Sequence, residues 1–353
     1  MILPLEDRWG LLSILEYEHG AKKALLALLE EGELEFRVIE EPRRRAFIEE
    51  EAAVYASHGF RQAKEFFRHA EASSWLAKPL LLYYGMLGVV KSGLVMRFPD
   101  YFRNPENLLH GIGSGDRAKT TVDFQREGVE IREEGVYPLA RLALDLRPLP
   151  PRTTMTLHDL LTRLPEVDAT YRFVFRRQGD PPNCIKIWGN VIYRDPADGR
   201  ARMGFDLAPG VYDSIRPRLP DEIVANADVT ELRDGGAPRI IFRSRRTWDS
   251  EFEARAEIPH SITSTLDQNF ALILPVVLND QSFQLTELEL MYLAIFYFSN
   301  LARYQPHLWV GLHAGADDLA VLLCQDLMRS CENKFLGLVQ QELQYAYLLP
   351  FRP

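Results

Sequence analysis

The stretch RNPENLLHGIGSGDRAK, residues 103–119, gathers the groups that phosphate chemistry uses. His110 titrates near neutral pH and can move a proton. Arg103 keeps its charge and can hold a phosphate through two parallel hydrogen bonds. Gly111, Gly113 and Gly115 expose backbone N–H groups, and Arg117 and Lys119 add charge, a composition able to cradle a phosphate. Asn104 is suited to cap a short helix that opens with Pro105 and brings His110 near its end. Arg103, Asn104 and His110 thus form a candidate catalytic set, and Gly111, Gly113, Arg117 and Lys119 a candidate phosphate-binding set. Together they would cleave RNA without a metal: the ribose 2′-OH attacks the adjacent phosphate, His110 acts as general acid or base, and Arg103 stabilises the charge that develops. The same composition also describes a surface loop whose histidine ends a helix.

An arginine, a polar residue and a histidine in this order resemble the Rx4–6H motif of HEPN ribonucleases, although Pro105 sets Arg103 outside the helix leading to His110. Other candidates are weaker. Arg243, Arg245 and Arg246 beside Trp248, and Arg172, Arg176 and Arg177 around Phe173 and Phe175, could meet single-stranded RNA. They read equally as solvated strand faces. His307 and His313 flank Trp309 without a third ligand nearby, and Ser114 has no activating base in sight. There is no phosphate loop, zinc-spaced Cys/His cluster, HExxH or GxSxG motif, so neither a metal nor a cofactor is expected.

The elements that must position these residues fall into three blocks: residues 1–125 helical, 126–258 β-rich and 259–353 helical. Apolar spacing predicts helices over 9–32, ending at Gly32, and over 46–56, 60–72 and 77–97, the last apolar nearly all round. Its Gly85, Gly88 and Gly93 are read as sites of close helix approach. Residues 184–194 with 200–207, and 228–233 with 238–246, read as antiparallel hairpins turning at 195–199 and 234–236. A helix over 156–170 starts at Thr156. Thr286 and Glu289 form a capping box for a second all-round apolar helix, and a last helix covers 316–345. The fold class is α+β: a helical bundle built from both ends of the chain, with a β-rich antiparallel middle region. The two all-round apolar helices should pack together.

Composition bounds the rest. The chain has 353 residues, 46% of them apolar, and carries 41 Lys and Arg against 50 Asp and Glu. A net charge of −9 disfavours a globally basic nucleic-acid binder but leaves room for a local basic patch. Cys184, Cys324 and Cys331 are odd in number and widely spaced, which suits core packing in a reducing cytoplasm rather than a disulfide framework. The sequence MILPLEDRWG does not read as a signal peptide, and no uncharged run reaches the length of a membrane span.

Two segments resemble the YaaC-like family of bacterial proteins. Pro79-Leu80-Leu81-Leu82-Tyr83-Tyr84-Gly85-Met86, Lys91 and His110-Gly111 are similar to one family signature. Tyr292, Tyr297, Ser299, Arg303-Tyr304 and Trp309 are similar to a second, with Gln305 and His307 where acidic residues are usual. LHDLLTRLPEVD in the middle also resembles a family helix. The resemblance implies a cytoplasmic bacterial protein without an assigned reaction. It singles out His110 and its loop, and leaves the partner cation open among Arg103, Arg117, Lys119 and Arg303, with Arg303 and Tyr304 as supporting residues. The leading expectation is therefore a nucleic-acid-directed, HEPN-like, metal-independent ribonuclease of a stress or defence system. The alternatives are a non-catalytic protein binding RNA, a nucleotide or a protein partner through this loop, or a helical scaffold that forms a homodimer.

Overall fold

The computed structural model describes residues 4–346 apart from 11, 115–120, 178–179, 188–191, 208, 220–226, 233–238, 245–246, 248–260, 268 and 315–317. It has the expected α+β character, with helices at both ends and small antiparallel sheets between them. The chain divides into two compact units, one of residues 1–160 with 291–353 and one of residues 161–290. Composition alone places the changes at 125/126 and 258/259. Both boundaries differ, the first because a small sheet belongs to the helical unit and the second because the strands between residues 262 and 283 belong to the other.

In the helical unit, helices α1 (Leu5–Trp9), α2 (Leu12–Leu15) and α3 (Glu18–Glu31) replace the single helix expected over 9–32. Gly10 interrupts it at φ 41°, where a β-carbon would stand 2.4 Å from the Gln340 amide oxygen. The stop at Gly32 is as expected, with its φ of 78° in the left-handed region. Helix α4 (Glu41–Phe47) runs through a π turn (Ile48–Ala52) into α5 (Ala53–Ala72), so the expected division near residues 56–60 is absent. Gly59 sits inside α5, where its missing β-carbon makes room for the Ser92 hydroxyl.

Helix α6 (Lys78–Leu94) lies against α5. Ala56, Phe60, Ala63, Phe67 and Ala70, spaced three and four apart, form a buried stripe on α5. Across it, a β-carbon at Gly88 would stand 3.0 Å from that of Ala63, and one at Gly85 would stand 2.9 Å from the Phe67 ring. With Gly59, these two glycines let the helices pack closely.

The C-terminal part of this unit supplies α11 (Glu287–Tyr304, from residue 291), α12 (Pro306–Ala314) and α13 (Asp318–Ala346). Every residue of α11 from Met291 to Ser299 is buried, as an all-round apolar helix requires. It meets α6 through side chains: the Tyr83 ring lies 5.6 Å from that of Tyr292 and 5.3 Å from that of Phe296. The bundle is closed further by Trp309, whose indole donates to the Leu76 carbonyl at 3.0 Å, and by Lys78, which reaches Glu332 at 2.5 Å. Cys324 and Cys331 are buried in α13. Strands β1 (Ile112–Ser114), β2 (Gly128–Ile131) and β3 (Thr154–Thr156) form an antiparallel sheet, with α7 (Val136–Ala143) between the last two.

The other unit carries most of the strands. The helix expected over 156–170 is two short ones parted near Pro165: α8 (Leu157–Leu161), nearly all of it in the helical unit, and α9 (Asp168–Val174) in this one. Thr156 does cap the first, accepting from the Asp159 N–H at 3.1 Å while Asp159 accepts from the Thr156 hydroxyl at 2.7 Å. Strands β5 (Ile192–Arg194) and β6 (Ala201–Leu207) make the expected hairpin, its turn closed by Gly199 donating to the Asp195 carbonyl at 2.8 Å, and α10 (Pro209–Ile215) follows. Strand β4 (Cys184–Ile187), expected to be continuous with β5, instead joins the antiparallel sheet β4–β10–β9, with β9 at Ile262–Ser264 and β10 at Phe270–Ile273. Strands β7 (Ala227–Leu232) and β8 (Arg239–Ser244) pair antiparallel; the turn expected at 234–236 lies outside the described residues. The Thr286–Glu289 capping box is present, with N–H···O distances of 2.9 and 3.1 Å. Among the described residues no helix is long and apolar enough to cross a membrane.

Candidate phosphate-binding pocket

His110 is held by a chain of local constraints. The buried carboxylate of Asp100 accepts from the backbone N–H groups of Arg37, Val38 and Ile39 at 2.7–3.0 Å, pinning the segment that follows α6. The buried Tyr101 hydroxyl donates to the Lys91 carbonyl at 2.8 Å. Two 3-10 turns follow, Tyr101–Arg103 and Pro105–Leu108. Asn104 caps the second, accepting from the Glu106 N–H at 3.1 Å, so its side chain does the capping the sequence suggests rather than facing His110. Beyond them α7 clamps the backbone, with Val136 N–H on the Leu109 carbonyl and Tyr137 N–H on that of His110. Gly111 must be glycine for two reasons: its φ is 74°, and a β-carbon would lie 2.4 Å from Pro138 Cδ.

The His110 side chain lines a pocket of about 150 Å³ together with Tyr83, Tyr84, Gly113, Ser114, Asn300 and Arg303. Ser299 and Tyr304 also border it. The Tyr83 hydroxyl lies 2.6 Å from His110 Nδ1. Burial, then the neighbouring Tyr292, raise the Tyr83 pKa well above the ordinary phenol value, so its O–H stays protonated. That O–H faces the Tyr292 hydroxyl as well as His110 Nδ1, and as the donor to Nδ1 it sets the tautomer of the ring. The imidazole then carries its proton on Nε2. Burial, and after it the charges of Lys91 and Arg303, lower the His110 pKa, keeping the ring neutral at pH 7.

Arg303 enters from α11. It donates to the Tyr84 hydroxyl at 2.6 Å and its guanidinium lies 4.8 Å from the Tyr304 ring centroid. Among the described residues no carboxylate pairs with it. Its remaining N–H groups and the neutral His110 share one cationic, donor-rich recess, bordered by Gly113 and Ser114. Such a recess suits a phosphoryl group, whose oxygens accept several hydrogen bonds.

The sequence-selected residues therefore separate. His110, Gly113, Arg303 and Tyr304 share the pocket, with Gly111 immediately beside it. Arg103 is not among the pocket's lining residues; it pairs with Glu51 and lies over the Phe47 ring at 5.5 Å. The Arg103–His110 pairing expected from spacing is thus replaced by Arg303 with His110. Arg117 and Lys119, like Gly115, lie outside the described residues. Tyr83 and Tyr84, which sequence reasoning treated as core, are the missed participants. The available signal was a pair of phenols in an otherwise apolar helix, since a buried hydroxyl needs a partner. The arginines around Phe173 are also used internally: Arg172 grips both Asp168 oxygens at 2.9 Å, and Arg177 holds Asp180 at 3.2 Å. Only the backbone of Arg243 is described, and Arg245, Arg246 and Trp248 lie outside the described residues. Among the described residues no cluster of His, Cys, Asp and Glu could hold a metal ion.

The family model described as YaaC-like Protein matches residues 16–343, and the chain belongs to this family. No curated protein and no solved structure matches. These comparisons lend no support to a HEPN-like core, which rests on the spacing of Arg103 and His110 alone. Both segments that carry the family resemblance reach the same pocket, one through Tyr83, Tyr84 and His110 and the other through Ser299, Arg303 and Tyr304. The remaining signature residues serve the fold: Trp309 bonds Leu76, and the Tyr297 hydroxyl bonds Glu127.

Proposed function

We propose that this pocket binds the phosphoryl end of a nucleotide or of RNA. The observation that carries the reading is Arg303, a cation without a carboxylate partner among the described residues, set on the same small recess as a neutral His110 whose Nδ1 is occupied by Tyr83. A volume of about 150 Å³ admits a phosphoryl group and little more, so the nucleoside extends outward past the exposed Tyr304 ring. Nε2–H of His110 donates to one phosphoryl oxygen and Arg303 to others. Adenosine 5′-monophosphate should bind in a calorimetric titration and adenosine should not. Equal binding of both, or of neither, would overturn the reading.

Metal-independent ribonuclease activity, in stress or defence, is the sharper version of the same proposal. It requires Nε2 to act as a base, and hence the opposite tautomer, with Nδ1–H donating to the Tyr83 oxygen while substrate is bound. Labelled RNA incubated with the protein and EDTA tests it. Cleavage should persist with the chelator, spare DNA, and fall by about 10²–10⁴-fold in His110→Ala. Unchanged cleavage by that variant would leave phosphate binding as the function of the site.

A further inference from the structure

A second cavity, of about 710 Å³, lies between the π turn and α5 on one side and α6 on the other. Its volume falls within the usual range for small-molecule sites, about 300–1,000 Å³. Three kinds of wall meet there. Lys91 is half-buried and, among the described residues, has no ion-pair partner, although Glu50 and Glu51 border the same cavity. Beside it the Ser92 hydroxyl is fully buried without a hydrogen-bond partner. Glu50 stands exposed at the rim, also unpaired among the described residues, whereas Glu51 is taken by Arg103. Val54, Tyr55 and Phe102 supply the apolar part, with the last two rings stacked at 4.2 Å. The π turn that displays Glu50 and Glu51 is itself a rare conformation, which often marks functional positions in helices.

This arrangement matches the parts of one kind of molecule. A half-buried ammonium without a counter-charge calls for an anion. Two carboxylates on the same cavity repel a polyanion, which argues against a nucleotide and for a ligand with a compensating positive end. We propose that this cavity is a binding site for an α-amino acid with a large apolar side chain. Its carboxylate pairs with Lys91, its ammonium faces Glu50, and its side chain lies against Val54, Tyr55 and Phe102.

The site also bears on the phosphate pocket. The charge of Lys91 is one of the influences holding His110 neutral, and a bound carboxylate would offset it. Occupancy of the cavity should therefore raise the His110 pKa.

Calorimetry on the full chain with L-phenylalanine, phenylacetate and phenethylamine tests the assignment. L-Phenylalanine should bind most tightly. Lys91→Met should weaken it roughly tenfold or more, the scale for losing a hydrogen bond to a charged group. Glu50→Gln should weaken L-phenylalanine while leaving phenylacetate unchanged. Because Glu50 is exposed, that variant keeps the test valid even if Lys91→Met fails to fold. In parallel, the His110 ring resonances followed by NMR should titrate at higher pH once L-phenylalanine is added. The proposal fails if L-phenylalanine does not bind the wild-type chain, if phenethylamine binds as well as it does, or if Lys91→Met binds it undiminished. None of these outcomes touches the binding of adenosine 5′-monophosphate, so the two sites stand or fall separately.

Discussion

In the unit of residues 161–290, Arg172 spends its guanidinium on its own surroundings: both oxygens of Asp168 at 2.9 Å, the Asp180 carbonyl at 2.7 Å and the Pro181 carbonyl at 3.1 Å. Arg163 likewise donates to the carbonyls of Leu274 and Pro275 at 3.0 Å. In the helical unit Arg303 meets two tyrosines and, among the described residues, no carboxylate. The first kind of arginine ties loops whose carbonyls have no ladder partner. The second is held in place while part of its donor set remains unspent, which is what an anion site requires. Arginine content does not distinguish them; only the partner does.

This contrast is sharpest under mutation. Arg172→Ala should destabilise its unit by about 3–5 kcal/mol, because removing one member of a mostly buried pair leaves Asp168 without its counter-charge. Burial already raises the Asp168 pKa despite Arg172, and removing that charge would raise it further. Binding of adenosine 5′-monophosphate by the still-folded protein should be unchanged. Urea melts and calorimetry read the two effects, and a loss of binding at full stability would erase the distinction. Arg303→Ala should do the reverse, leaving the melting midpoint within error while weakening binding by about 10–100-fold, as expected for lost hydrogen bonds to a charged group.

Tyr83→Phe should have a smaller effect. Losing one hydrogen bond costs about 0.5–1.5 kcal/mol, and here it also frees the His110 tautomer. Nitrogen-15 shifts of His110 should change from a single tautomer to a mixture, with a several-fold loss of phosphate binding. A single unchanged tautomer would mean that something other than Tyr83 holds the ring.

Legibility in the sequence followed the range of the interactions. The cap at Thr156, the capping box at Thr286, the Gly32 stop and the turn at 195–199 all depend on residues within five positions, and their signals were sufficient. The two apolar helices were also plain, because a helix without a polar face must be buried. What local pattern missed was set by distant partners. Gly10 breaks a good helical periodicity by accommodating Gln340, and Gly59 continues one by accommodating Ser92. The site followed the same rule. Spacing offered Arg103 as the partner of His110, but Asn104 caps the turn between them and Glu51 claims the arginine. The cation that shares the pocket comes from a helix nearly two hundred residues onward, and only the family resemblance placed Arg303 among the candidates.

The mildest test of the contrast is the pH dependence of stability. His110 is neutral in the fold and has its pKa lowered from an ordinary value near 6.5. Between the folded and unfolded pKa values the unfolded chain binds more protons, so stability rises with pH across that window. The penalty is complete below the folded pKa and absent above about pH 7. One proton can contribute at most about 1.4 kcal/mol per pH unit, and only within the window. His110→Asn should therefore flatten the stability profile on the acid side of pH 6.5 relative to wild type. The Arg303→Ala variant should flatten it less, since it removes only a lesser cause of the shift and leaves burial and Lys91 in place. A wild-type profile already flat there would mean that the ring charges freely in the fold, and Arg303 would then face an imidazolium rather than a neutral donor.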